Sequence, residues 1–268
     1  MPDVPLREAV GAMKIHAPSE RNRKLAGFLA AVNASDQLKA QWHAQQVTAE
    51  RLGMSDHSWV HLQIVLNRAL RLYRLLRQGG VESAIERDYG LHPRDAEVVI
   101  AAGCLLHDLG MSIHRVDHEA YSLFLAADHL ESLLADVYEE PERTVVASEA
   151  LHAIIGHRSG GRPLTIEAGI IRVADALDME HGRSRVAVES HLPNIHSLSA
   201  AAIDEVRILP GEQRTVRVEI EMNNSAGVFQ VDELLGRKLR GSGLEDHIEV
   251  VAEIEAEHEK RLLTVYRA

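Results

Sequence analysis

Hydrophobic residues recur at helical spacing along most of the first 200 positions. From Ser58 to Gln78 apolar side chains return every three or four residues, which is typical of an amphipathic helix, and the glycine pair at 79–80 ends it. A second helix is predicted from Pro93 to about Leu109, and its almost continuous apolar run indicates a buried, central position. Further helices are predicted at 21–32, 37–52, 116–135, 142–157 and 165–181.

The pattern changes to strict alternation after about residue 203. Residues 206–209 and 216–222 alternate apolar with polar side chains on either side of Pro210-Gly211, which predicts a β-hairpin. A helix at 228–239 and strands at 247–254 and 261–266 follow. The predicted fold class is therefore mainly α, a helical bundle with a small C-terminal α+β unit. The predicted division is an N-terminal helical segment packing on the core, a helical domain and an α+β domain, at 1–55, 56–200 and 204–268.

Charge and composition narrow the classes of function. The formal net charge is −11, from 29 basic and 40 acidic residues, and this argues against broad capture of nucleic acid. The longest apolar run, at 98–106, is too short to cross a bilayer, so no membrane association is expected. The first residues show no signal-peptide pattern, which makes the cytoplasm the expected location. The single cysteine, Cys104, excludes an internal disulfide and a four-cysteine zinc site.

Ionisable residues at the ends of apolar helices are the main chemical signal. His107 and Asp108 follow the most apolar helix, Asp175 follows another apolar segment, and His61 lies within an otherwise apolar stretch. Taken singly, a core histidine is more often hydrogen-bonded than ligated, and a buried aspartate is more often a helix cap or the partner of an arginine. Burying all of them without partners would cost several kcal/mol each. A shared divalent cation removes that cost, since imidazole and carboxylate groups suit Mn, Fe, Co, Ni and Zn.

The order of these residues resembles the defining pattern of the HD superfamily of metal-dependent phosphohydrolases. The stretch 104–110 (CLLHDLG) matches the apolar approach and following glycine of that family, and 153–158 and 172–178 are similar to its later motifs. The resemblance covers roughly residues 55–190 and implies an HD-domain helical bundle. It further implies hydrolysis of a phosphoester or phosphoanhydride bond with one or two divalent metal ions. Mg is a candidate for these ions in addition to Mn, Fe, Co, Ni and Zn. The whole chain also resembles a largely uncharacterised group of HD proteins with a similar C-terminal tail.

The resemblance to the two-metal branch of this family implies a ligand set. The expected ligands are His61, His107, Asp108, His118, His157 and Asp175. Asp108 would bridge two ions and act in catalysis, and Asp178 would orient a water molecule or a ligand. Only nine residues separate Asp108 from His118, fewer than in most two-metal relatives, so His114 or His129 remains an alternative ligand.

A phosphorylated substrate requires cations beside the metal. Arg115, Arg158, Arg162 and Arg183 lie close in sequence to the expected ligands and are the candidates for substrate binding. The expected partner is a nucleotide or related small phosphorylated metabolite, and a homodimer remains open. Two other functions share this pattern: a nucleotide-sensing regulatory module without turnover, and a di-iron oxygenase of the same fold.

Overall fold

The computed structural model describes residues 5–158, 160–180, 199 and 201–254. Within these ranges the part up to residue 180 is helical, which confirms the predicted fold class. None of the described helices is long and apolar enough to span a membrane. The α-helices of this part are α1 (Leu6–Ala12), α2 (Arg23–Ala34), α3 (Asp36–Arg51), α4 (Trp59–Gln78), α5 (Ala84–Tyr89), α6 (Pro93–Leu106), α7 (His118–Leu134), α8 (Glu142–Gly156) and α9 (Ile166–Leu177).

Helix α6 is the centre of the bundle. It begins with a capping box: the His92 side chain accepts a hydrogen bond from the amide of Arg94, and the Asp95 carboxylate accepts one from the amide of His92. Pro93 occupies the first helical position. Every residue of its 98–106 run is buried. It packs against α2, α4, α8 and α9, so its aliphatic side chains form the middle of one hydrophobic cluster.

The end of α6 differs from the prediction and matters for the site. The helix ends at Leu106 rather than near Leu109, and a short 3-10 helix follows at Leu109–Ser112. His107 and Asp108 therefore lie in the change of direction between the two helices. Backbone that leaves regular helical geometry allows two adjacent side chains to reach toward one point.

The N-terminal helices share the core of the bundle. Phe28 of α2 and Trp42 of α3 are almost wholly buried and belong to the same hydrophobic cluster as α6. The indole nitrogen of Trp42 donates a hydrogen bond of 3.0 Å to the carbonyl oxygen of Leu105, one residue before the end of α6. These contacts join α3 to the segment that carries His107 and Asp108. The division of the chain at residues 55 and 204 stays a prediction.

The C-terminal unit contains the predicted hairpin, β1 (Ile203–Pro210) and β2 (Val216–Met222), which pair antiparallel. A third strand, β3 (Ile248–Ile254), pairs parallel to β2, so the sheet order is β1-β2-β3. The predicted helix at 228–239 is present over those residues, but its middle, Gln230–Gly236, forms π-helical turns, and Arg237–Leu239 forms a single α-helical turn. The strand predicted at 261–266 lies outside the described residues.

Two helices of the bundle hold this unit in place. Arg71 of α4 donates a hydrogen bond to the carbonyl oxygen of Ile208 in β1. On α9, Gly169 faces the backbone carbonyl oxygen of Ser242 so closely that a β-carbon at this position would collide with it. The absence of a side chain at Gly169 thus lets the segment after Leu239 pack directly on α9, the helix that carries Asp175.

Candidate metal centre

Three helices bring the four core residues of the predicted site together. His61 lies on α4, His107 and Asp108 follow α6, and Asp175 lies in the last turn of α9. The Nε2 atom of His61 is 3.5 Å from Asp175 Oδ1 and 3.8 Å from Asp108 Oδ2. The Nε2 atom of His107 is 3.4 Å from Asp108 Oδ2 and 3.9 Å from Asp175 Oδ1. Two imidazoles and two carboxylates therefore converge on one point.

Asp108 also belongs to a second group, with His118 and His157. Its Oδ1 atom is 3.2 Å from the Nε2 atom of His118 and 3.9 Å from the Nε2 atom of His157. The rings of His107 and His157 have centroids 4.8 Å apart, so the two groups are adjacent. Asp108 directs one carboxylate oxygen into each group. Both groups, His61–His107–Asp108 and Asp108–His118–His157, have the spacing required to hold a metal ion.

The hydrogen bonds of the histidines fix which nitrogen faces the centre. The Nδ1 atom of His61 pairs with Asp178, whereas those of His107 and His157 bond to the carbonyl oxygens of Cys104 and Ile154. Each Nδ1 atom is therefore committed to an acceptor, and each Nε2 atom faces the centre, where a neutral ring offers its lone pair. Such outer partners typically orient histidines that bind a metal.

Two of these inward nitrogens have no hydrogen-bond partner. The Nε2 atoms of His61 and His107 are buried and unpaired. A buried polar atom without a partner costs about 1–3 kcal/mol, and native proteins contain few of them. Two such atoms, 3.4–3.8 Å from the same carboxylate oxygen, fit a cation that accepts both lone pairs. The donor set therefore fits a divalent metal ion.

The negative charges of Asp108 and Asp175 favour a positive charge at the centre. Burial favours neutral His107, but the negative charges of Asp108 and Asp175 outweigh it and raise its pKa to about 9. Burial lowers the pKa of His157 to about 3, and the positive charges of His107 and of Lys238 in the C-terminal unit act in the same direction. Although Asp108 is buried, His107 holds its pKa well below the usual value. The carboxylates thus stabilise positive charge at this point, which a divalent cation supplies.

Asp178 lies behind His61 rather than at the centre. It is 5% exposed, and its Oδ2 atom is 2.5 Å from the Nδ1 atom of His61. Arg68 approaches its other oxygen at 3.7 Å. The sequence suggested that Asp178 orients either a water molecule or a metal ligand, and its contact with His61 suits the second role.

Removal of this carboxylate is expected to weaken metal binding without abolishing it. In Asp178→Ala the imidazole of His61 loses the acceptor that fixes its orientation and tautomer, and the affinity for Mn²⁺ should fall about 10- to 100-fold. Isothermal titration calorimetry of the metal-free protein measures this change. Asp88→Ala is the matched control, since Asp88 is exposed and pairs only with its neighbour Arg87 among the described residues. Equal affinity of Asp178→Ala and wild type would contradict the positioning role.

The structure separates His118 from its two alternatives. The exposed His114 accepts a hydrogen bond from the amide of Val116, two residues along the chain. His129 is buried on α7 but bonds through Nε2 to the side chain of Gln41. Neither forms part of the two groups that can hold a metal. His118 is the histidine of this region that reaches Asp108.

The predicted substrate-binding arginines occupy different surroundings. Arg115 lies 2.8 Å from the Nδ1 atom of His118 and so borders the second group. Arg158 pairs with Asp117 at 3.3 Å, and both side chains are half exposed. Arg162 is exposed, and no described contact joins it to the centre. Arg183 lies outside the described residues.

Two residues near the centre, His57 and Lys238, were not predicted from the sequence. His57 is buried, its ring centroid is 5.7 Å from that of His61, and its charge contributes to the lowered pKa of Asp108. Its spacing of four residues from His61 was an available signal. Lys238 places its Nζ atom 3.4 Å from Asp175 Oδ2, although 63 residues separate the two in sequence. No local pattern points to that contact.

Comparisons with known proteins show which family this chain is similar to. The HD domain family model matches residues 65–180, a range that contains His107, Asp108 and Asp175. The chain is 40% identical over 207 residues to the uncharacterised protein MJ1020 of Methanocaldococcus jannaschii, covering 77% of this chain and 80% of that protein. It is also 32% identical over 109 residues to a ribonuclease Y of Desulforamulus reducens, covering 40% of this chain and 19% of that protein.

These matches, together with the clustered histidines and aspartates, define the class of protein. The chain belongs to the HD-domain superfamily, whose members are generally metal-dependent phosphohydrolases. The family assignment made from the order of the motifs is therefore confirmed.

Proposed function

We propose that the protein is a metal-dependent hydrolase of phosphoester or phosphoanhydride bonds in a nucleotide or related small phosphorylated metabolite. The observation that carries the proposal is the position of Asp108, whose two oxygens face two groups of inward-turned imidazoles. Phosphoryl chemistry is well served by adjacent cation sites that share a ligand.

The proposed ligands divide between the two groups. His61, His107 and Asp175 would hold one ion and His118 and His157 a second, with Asp108 shared between them. Bound divalent ions would neutralise charge on the phosphoryl oxygens and lower the pKa of the attacking water. The protein's part is to hold the imidazoles in one tautomer through the fixed partners of their Nδ1 atoms.

Other residues would orient and shield the substrate. Arg115, 2.8 Å from His118, is the predicted arginine best placed to donate to a phosphate beside the second group. The aliphatic residues around the centre, among them Leu106 and Ile154, are wholly buried and keep water from the back of the site.

Small substrates are favoured over nucleic acid by the charge of the chain. The net charge of −11 opposes the binding of a long polyanion, which gains its affinity from neutralised phosphates. The ribonuclease Y relative bears on the proposed class of bond rather than on the substrate, because the similarity covers only 19% of that protein.

The test combines metal analysis with a substrate panel. Protein purified without added metal is analysed for its elements, and phosphate release is then measured over nucleoside mono-, di- and triphosphates and cyclic dinucleotides with several divalent metals. We expect one or two metal ions per chain and turnover of at least one compound. Oxygen consumption with iron would instead indicate an oxygenase, and tight nucleotide binding without turnover a sensor. Either result would replace this proposal.

A further inference from the structure

The C-terminal unit places one positively charged side chain, that of Lys238, beside the metal centre. The Nζ atom of Lys238 lies 2.5 Å from the backbone carbonyl oxygen of His157 and 3.4 Å from Asp175 Oδ2. The other oxygen of Asp175 faces His61 at 3.5 Å. Lys238 therefore stands directly beside the residues proposed to bind both ions.

The backbone around Lys238 is tied to the loop that follows His157. Arg172 of α9 is 4% exposed, and its guanidinium donates hydrogen bonds to the carbonyl oxygens of Lys238, Arg158 and Gly161 at 2.9, 2.8 and 2.6 Å. One buried arginine thus joins the C-terminal unit to the end of α8. The position of the ammonium group is consequently fixed by the fold before any substrate arrives.

The ammonium group retains capacity for another acceptor. It has three protons, and the described partners, His157 and Asp175, account for two of them. The side chain is 19% exposed, so the group is held but open to solvent. Of the lysine and arginine side chains in the described ranges, Lys238 is the one that pairs with Asp175 or Asp108. The arginine expected there, Arg158, turns instead toward Asp117.

We propose that Lys238 is a substrate-binding residue whose ammonium group donates to the phosphate of the substrate. This rests on the proposed function, which supplies the phosphate ligand. A lysine suits the role as a compact charge with freely directed donors. The C-terminal α+β unit would then complete the centre that the helical bundle builds, which gives that unit a part in the chemistry.

Inorganic phosphate is the probe, titrated calorimetrically into the full chain loaded with Mn²⁺. Loss of one charge-assisted hydrogen bond in Lys238→Met should lower the phosphate affinity about 10- to 100-fold. Lys238→Arg, which keeps the charge but not the compact shape, should lose less phosphate affinity than Lys238→Met. Arg237→Met is the matched control. Arg237 is next to Lys238 in sequence, but its side chain is 66% exposed and pairs with Glu233, so phosphate affinity should not change.

Metal content, measured for every variant by elemental analysis, separates phosphate binding from a structural role. Unchanged phosphate affinity in Lys238→Met would overturn the proposal, as would a wild type that binds no phosphate. Loss of metal in that variant would also overturn it, because Lys238 would then serve to hold Asp175. Lysine-dependent phosphate binding without hydrolysis of any compound on the panel would remove the proposed hydrolase while supporting the role of Lys238.

Discussion

Asp108→Asn is expected to release the metal and to reduce hydrolysis by more than about 100-fold. The two oxygens of this carboxylate lie 3.2–3.9 Å from the Nε2 atoms of His61, His107, His118 and His157. Asparagine keeps the shape but removes the charge and replaces one oxygen with an amide donor. Residues that merely orient ligands are worth about 10- to 100-fold, so a ligand shared by two ions should contribute more. Elemental analysis and the rate of phosphate release measure the two effects.

Asp88→Asn makes the same chemical change at an exposed position. Asp88 pairs with Arg87 on α5, at the surface, so metal content and rate should match those of wild type. Circular dichroism of both variants tests whether the helical bundle is retained. If Asp108→Asn keeps its metal and its turnover, the assignment of Asp108 as the shared ligand is wrong.

The long helices were predictable because each carries many apolar residues at a constant spacing. Helix α4 begins within one residue of the predicted start and ends where predicted, at Gln78, before the glycine pair. Helices α1 and α5 were missed: with seven and six residues, they contain fewer than two full turns of pattern. The sequence predicts a helix at Gln230–Gly236 but not its π-helical form, since the apolar spacing does not distinguish a π-helix from an α-helix.

The site was predictable where its residues follow local rules and unpredictable where they depend on tertiary packing. On α7, His118 and His129 are eleven residues apart, which places them on nearly the same face but about 16 Å apart along the helix axis. Periodicity therefore could not choose between them, whereas contact with Asp108 does. Lys238 reaches Asp175 only because Arg172 and Gly169 hold the C-terminal unit on α9. No spacing in the sequence encodes that approach.

Gly110→Ala is expected to destabilise the protein by about 3 kcal/mol or more and to displace His118. Gly110 donates a 2.8 Å hydrogen bond to the Ser122 hydroxyl, which in turn donates to the carbonyl oxygen of His107. A β-carbon at residue 110 would collide with the backbone carbonyl of His118 and approach the amide of Ser122. These backbone atoms belong to the first turns of α7 and cannot move aside as a flexible side chain would.

Gly11→Ala provides the control for Gly110→Ala, because Gly11 lies in a helix with no atom near its would-be β-carbon. That substitution should be neutral or stabilise by up to about 1 kcal/mol, since alanine favours helix. Denaturant unfolding of both variants gives the two free energies, and Mn²⁺ titration gives the metal affinity. Gly110→Ala should lose affinity together with stability, because the contact that excludes a methyl group also sets the distance from Asp108 to His118. A variant as stable as wild type would show that α7 does not pack against Gly110 as closely as the geometry indicates.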